Sequence, residues 1–115
     1  MGARPSTNPT PRRADVSEPT RDEVDQLAGN AVLEFGASWC GYCTGARPLV
    51  DAALAARADV RHLWIEDGRG KRLGRTFRVK LWPTLIFLRD GREVARVVRP
   101  TSARELADAL AQLGP

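Results

Sequence analysis

The chain has 115 residues, 43% of them hydrophobic, a length that supports one domain with a real core and leaves no room for a second. Its formal net charge is +4, but Arg69, Lys71, Arg72, Arg75, Arg78 and Lys80 fall in one acid-free stretch, so the basic character is local and the rest of the chain is slightly acidic. No run is apolar and long enough for a transmembrane helix. There is no nucleotide-binding glycine motif, and two cysteines with one histidine, His62, fall short of the four ligands of a structural zinc site.

Residues 1–19 hold Pro5, Pro9, Pro11 and Pro19 among Ser, Thr and Arg with almost nothing apolar to bury, and read as a disordered tail ahead of a domain over 20–115. No apolar run of signal-peptide length follows Arg12-Arg13, and Asp15 and Glu18 argue against a transit peptide, so a cytoplasmic location is expected. Thr20 with Glu23 forms a capping-box pattern that opens a short helix to about Leu27, closed by Gly29. Residues 31–37 read as a buried strand. From Cys43 to about Arg57, Ala46, Leu49, Val50, Ala53 and Leu54 recur at the spacing of one helix face, with Pro48 expected to kink it. Val60 to Ile65 reads as a second core strand, and a short helix is expected around Leu73 to Phe77. Residues 84–88 and 93–98 form a hairpin through Asp90-Gly91, where the turn needs positive φ. Ser102 with Glu105 caps a last helix whose Leu106, Leu110 and Leu113 share a face. These elements describe an α/β fold, a mixed sheet with helices on both faces.

The chemistry concentrates in Trp39-Cys40-Gly41-Tyr42-Cys43. Two thiols at i and i+3 in the first turn of a helix share a face, close enough for a disulfide to open and close with little backbone movement. Cys40 would sit at the helix N-terminus, where unpaired N–H groups and the helix dipole favour a thiolate; Cys43, one turn in, would be more buried and suited to resolve a mixed disulfide. A purely structural disulfide closing so short a loop would constrain little chain entropy. Glu34 is the lone ionisable group in a strand otherwise fit for burial on both faces, and an unpaired carboxylate there costs several kcal/mol unless it stays protonated. Pro83 stands at the first residue of a strand, where its missing N–H is harmless.

Ala31 to Cys43 resembles the central strand and WCGPC turn of thioredoxins, with Tyr42 in place of the usual proline. Pro48 falls where that family kinks its active-site helix, Leu81-Trp82-Pro83-Thr84 to Leu88 resembles its cis-proline loop and next strand, and Asp90-Gly91 its hairpin turn. The similarity covers about residues 20–113 and implies a thioredoxin-like thiol–disulfide oxidoreductase that reduces protein disulfides. It further implies that Cys40 is the nucleophile, that Cys43 resolves, and that Glu34, on the position of a buried aspartate, relays the Cys43 proton through a water. It implies a cis bond before Pro83 that turns the N–H and C=O of Trp82 toward an extended substrate, with Trp39, Trp82, Pro83 and Arg99 around the docking surface.

No bound cofactor or metal is implied. Recycling would come from an external flavin- and NADPH-dependent thioredoxin reductase, and the partners would be disulfide-containing proteins met by a monomer. Trp82 and Arg99 depart from the small aliphatic residue and the glycine usual in the family, which makes the docking surface bulkier and charged. The Cys-Gly-Tyr-Cys centre is also similar to that of bacterial envelope disulfide isomerases, so oxidase or isomerase chemistry is the alternative, with a thioredoxin-fold adaptor outside enzymology. Nucleic-acid binding through residues 69–80 with a redox switch is less favoured, since only Phe77 adds an aromatic and no nucleic-acid motif accompanies it.

Overall fold

The computed structural model describes residues 18–115. The expected tail therefore lies outside the described residues except for Glu18 and Pro19, and the Glu18 carboxylate accepts hydrogen bonds from the backbone N–H groups of Arg72 and Leu73 at 2.8 and 3.4 Å. Four helices, α1 (Arg21–Asp25), α2 (Gly41–Ala55), α3 (Leu73–Thr76) and α4 (Ala103–Ala111), flank four strands, β1 (Asn30–Gly36), β2 (Arg61–Glu66), β3 (Thr84–Arg89) and β4 (Arg92–Val98). Among the described residues no helix is long and apolar enough to cross a membrane. The strands form one mixed sheet in the order β2-β1-β3-β4, with β1 parallel to β2 and antiparallel to β3.

Alternation along β1 builds two cores. Val32, with Leu85 and Phe87 of β3, faces Val50 of α2 and Leu106 and Leu110 of α4. Ala31, Leu33 and Phe35 face the other way, onto Val24 of α1, Leu73 of α3 and Phe77, which caps α3. Both capping boxes form as expected, Thr20 with Glu23 and Ser102 with Glu105. Asp90 and Gly91 have φ of 50° and 81°, the positive pair a tight hairpin turn requires. Pro48 lies inside α2, which continues past it to Ala55. One expectation is corrected: among the described residues the second strand is an edge strand, with Arg61 and His62 exposed and only Ile65 buried, because it pairs with β1 on one side and with no described strand on the other. That position opens β2's inner face to a cleft beside the cysteines.

Candidate active site

Cys40 and Cys43 are both reduced, and both lie where β1 hands over to α2. The chain leaves β1 at Gly36, turns through Ala37 to Trp39 with the Cys40 N–H donating to the Ala37 carbonyl at 3.0 Å, and starts α2 with Cys40 as its N-cap. The cap is made by sulfur: the Cys43 N–H donates to Sγ of Cys40 at 3.3 Å, filling the role that a serine or aspartate oxygen usually takes. A thiolate accepts that bond better than a thiol does. Burial acts to raise the Cys40 pKa, but it is outweighed by the hydrogen bonds from the Cys43 side chain and from the Cys43 and Tyr42 backbone, together with the positive charge of Arg99, so the thiol lies below its ordinary value of 9.0. Cys43 goes the opposite way. Burial, reinforced by a hydrogen bond and charge at Cys40 and by the charge of Glu34, pushes it up to about 12. Two identical side chains three residues apart are thus given opposite pKa shifts by the helix start, by burial and by the charges of Arg99 and Glu34.

Glu34 is 1% exposed, facing the same side of the sheet as Val32. It pairs with a partner that the sequence had suggested only as a failed zinc ligand: Nε2 of His62, on the neighbouring edge strand, lies 2.7 Å from its Oε1. The other carboxylate oxygen, Oε2, is buried without a hydrogen-bond partner among the described residues. Glu34, His62 and Cys43 line one open cleft of about 510 Å³, with Trp64, Glu66 and Arg47 at its walls. A cleft of that size and polarity has room for ordered water between carboxylate and sulfur. Glu66 holds the cleft's rim by accepting from Trp64 Nε1 at 3.2 Å and from the Ser38 N–H at 3.1 Å. Gly36 is required here for space, because a Cβ would meet Cys43 Sγ at 2.6 Å and the Trp64 ring at 2.8 Å. Gly36→Ala is therefore expected to destabilise the reduced protein by about 1–3 kcal/mol and to displace the resolving thiol. Denaturant melts that match the parent protein would show that the indole yields without cost.

On the other side of the cysteines, the Trp82–Pro83 peptide is cis. Pro83 is buried and begins β3's approach to the site, while the Trp82 indole stands edge-on to Trp39 at 5.4 Å and donates from Nε1 to Asp67 at 2.9 Å. Trp39 and Tyr42 are 76% and 61% exposed, so an aromatic rim stands open to solvent around the two sulfurs. The Trp82 carbonyl, expected to await a substrate backbone, is already engaged: Nε of Arg99 donates to it at 2.8 Å. Nor does Arg99 stand free in solvent. It is half-buried, with its guanidinium carbon 3.7 Å from the centre of the Tyr42 ring. His62, Glu66 and Asp67 are the site residues that sequence reasoning missed. Period-two alternation along 62–66 would have put His62, Trp64 and Glu66 on one face, but not next to Glu34.

A mixed sheet flanked by helices, with a reduced Cys-x-x-Cys pair capping a helix beside a cis-proline loop, defines a thiol–disulfide oxidoreductase of thioredoxin-like fold. The thioredoxin family model matches residues 15–112, and the chain belongs to the thioredoxin family. Thioredoxin 2 from Pseudomonas aeruginosa PAO1, solved in its reduced form, is 56% identical and superposes with a TM-score of 0.77 over 84% of this chain and 91% of that one. The thioredoxin of Mycobacterium bovis is 31% identical over 97 residues, covering 78% of this chain and 84% of the relative. Thioredoxin H2-1 of Oryza sativa is 36% identical over 67 residues, and the match spans only 49% of that longer protein.

Proposed function

We propose that the protein is a reductant of protein disulfides, with Cys40 as the attacking thiolate, Cys43 as the resolving thiol and Glu34 as the base that takes the Cys43 proton through a water. The observation that carries this reading is the split between the sulfurs: Cys40 Sγ accepts the Cys43 N–H in the first turn of α2 and is held below its ordinary pKa, whereas Cys43 is pushed up to about 12. In the cycle, Cys40 thiolate attacks one sulfur of a substrate disulfide, forming a mixed disulfide and releasing the other sulfur as a thiolate. Cys43 then loses its proton toward Glu34, attacks Cys40, and expels the second substrate sulfur. The substrate leaves as a dithiol and the protein holds the Cys40–Cys43 disulfide, so two electrons have moved. Return to the dithiol needs an external donor, which on family grounds is a flavin- and NADPH-dependent reductase. Exposed Trp39, Tyr42 and Leu81 around the sulfurs favour a protein rather than a small disulfide as the partner. His62, between Glu34 and solvent, is suited to carry the proton away from the carboxylate. A cytoplasmic setting and a monomeric state complete the reading.

Direction is tested by the equilibrium constant with glutathione. Thioredoxin-fold proteins span about −270 to −120 mV, and a value near the lower end is expected. A value near the upper end would replace the reductant with an oxidase or isomerase. Turnover of a model protein disulfide with NADPH and a thioredoxin reductase tests the donor in the same preparation.

A further inference from the structure

Arg99 is held in place without being used up. It follows β4 in a left-handed backbone conformation, φ 50°, and its N–H donates to the Pro83 carbonyl at 2.9 Å. Its side chain then bridges the first turn of α2 and the Trp82–Pro83 loop, stacking on Tyr42 at 3.7 Å and donating from Nε to the Trp82 carbonyl at 2.8 Å. A guanidinium carries five N–H donors, and the Trp82 bond uses one. Among the described residues, neither terminal nitrogen of Arg99 has a hydrogen-bond partner and no carboxylate pairs with it. By contrast, Arg57 and Arg96 each close a two-pronged pair with a carboxylate, on Asp59 and Glu93. The unused fork stands at the edge of an open, mostly apolar hollow of about 640 Å³ formed by Gly41, Tyr42, Gly45, Ala46, Pro100 and Thr101, beside the nucleophile. An arginine already immobilised by an aromatic face and a backbone carbonyl loses little further freedom when it receives a carboxylate. Exposed Arg78 and Lys80, leading into the Pro83 loop, have no acidic partner among the described residues and extend the same sign of charge.

We propose that Arg99 is a specificity-determining residue: its terminal nitrogens receive an Asp or Glu carboxylate carried by the substrate segment next to the attacked disulfide, so that the protein prefers acidic disulfide partners. This rests on the reductant reading above. Tyr42 serves as the platform that orients the fork. Two of the three departures from the usual thioredoxin pattern, the tyrosine between the cysteines and the arginine after the last strand, thereby act as one device.

The test uses three disulfide-linked peptides, identical except for Glu, Gln or Lys beside the cysteine, and a small neutral disulfide, reduced by the full-length, pre-reduced protein under single-turnover conditions. A charge-assisted pair is expected to favour the Glu peptide over the Gln peptide by about tenfold in the second-order rate constant of reduction, with the Lys peptide slowest. Arg99→Gln should bring the Glu-to-Gln ratio close to one, and Arg99→Glu should invert the order in favour of Lys. Because the ratio is taken within one protein, changes in Cys40 reactivity or in folding cancel. Equal rates for the three peptides in the parent protein would overturn the proposal while leaving the reductant reading intact, as would a preference that survives Arg99→Gln. Failure to reduce any of the four disulfides would instead remove the reductant reading and this proposal with it.

Discussion

Cys43→Ser will turn the protein into a trap that accumulates mixed disulfides through Cys40, and Cys40→Ser will trap almost none. The asymmetry follows from protonation. With Cys43 pushed up to about 12, about one molecule in 10⁵ carries its thiolate at pH 7. Cys40, below its ordinary 9.0, carries at least about 10³ times more. A higher-pKa thiolate is intrinsically more nucleophilic, which with a Brønsted slope of about 0.5 gives back roughly thirtyfold of that advantage, so alkylation at Cys40 should still lead by about thirtyfold or more. The pH profile carries the sign: Cys40 alkylation should rise with pH to a plateau with a midpoint below 9.0, while Cys43 stays unreactive through that range. Mass spectrometry of partly alkylated, reduced protein reads both sites at once. Equal labelling of the two cysteines would remove the nucleophile assignment.

The second large effect is expected at Glu34. Glu34→Gln keeps the side chain's shape and its contact with His62 but removes the base, so Cys40 alkylation should be nearly unchanged while resolution of a preformed mixed disulfide slows, by about 10²- to 10⁴-fold. The step affected separates a proton relay from a general loss of structure. Glu34→Leu supplies the complementary measurement. It removes a buried carboxylate whose Oε2 has no partner among the described residues, and the His62 it leaves behind is a third exposed and can be hydrated, so the reduced protein should gain about 1 kcal/mol or more at neutral pH. Resolution should slow in both variants while stability rises in the second. Unchanged resolution in Glu34→Gln would leave the carboxylate with a structural role only.

Much of this was legible in the chain itself because it is written in local patterns. Thr20 with Glu23 and Ser102 with Glu105 state their helix starts within four residues, Asp90-Gly91 states its turn, and the alternation from Ala31 to Phe35 fills both cores. The spacing of Cys40 and Cys43 against the start of α2 already separates one thiol from the other, since capping and depth along a helix depend on a few adjacent residues. What tertiary structure decided is every relation between residues far apart in sequence. That β2 is an edge strand depends on which strands flank β1, and only that placement brings His62 onto Glu34 and opens the cleft through which its proton would travel. The resemblance placed Arg99 by the docking surface, but only the return of β4 beside the Pro83 loop lays it on Tyr42 and the Trp82 carbonyl. The reason is physical: helix caps and turns are set by hydrogen bonds between near neighbours, whereas strand order, register and the pairing of charges across loops are settled by packing of the whole chain, which no local pattern encodes.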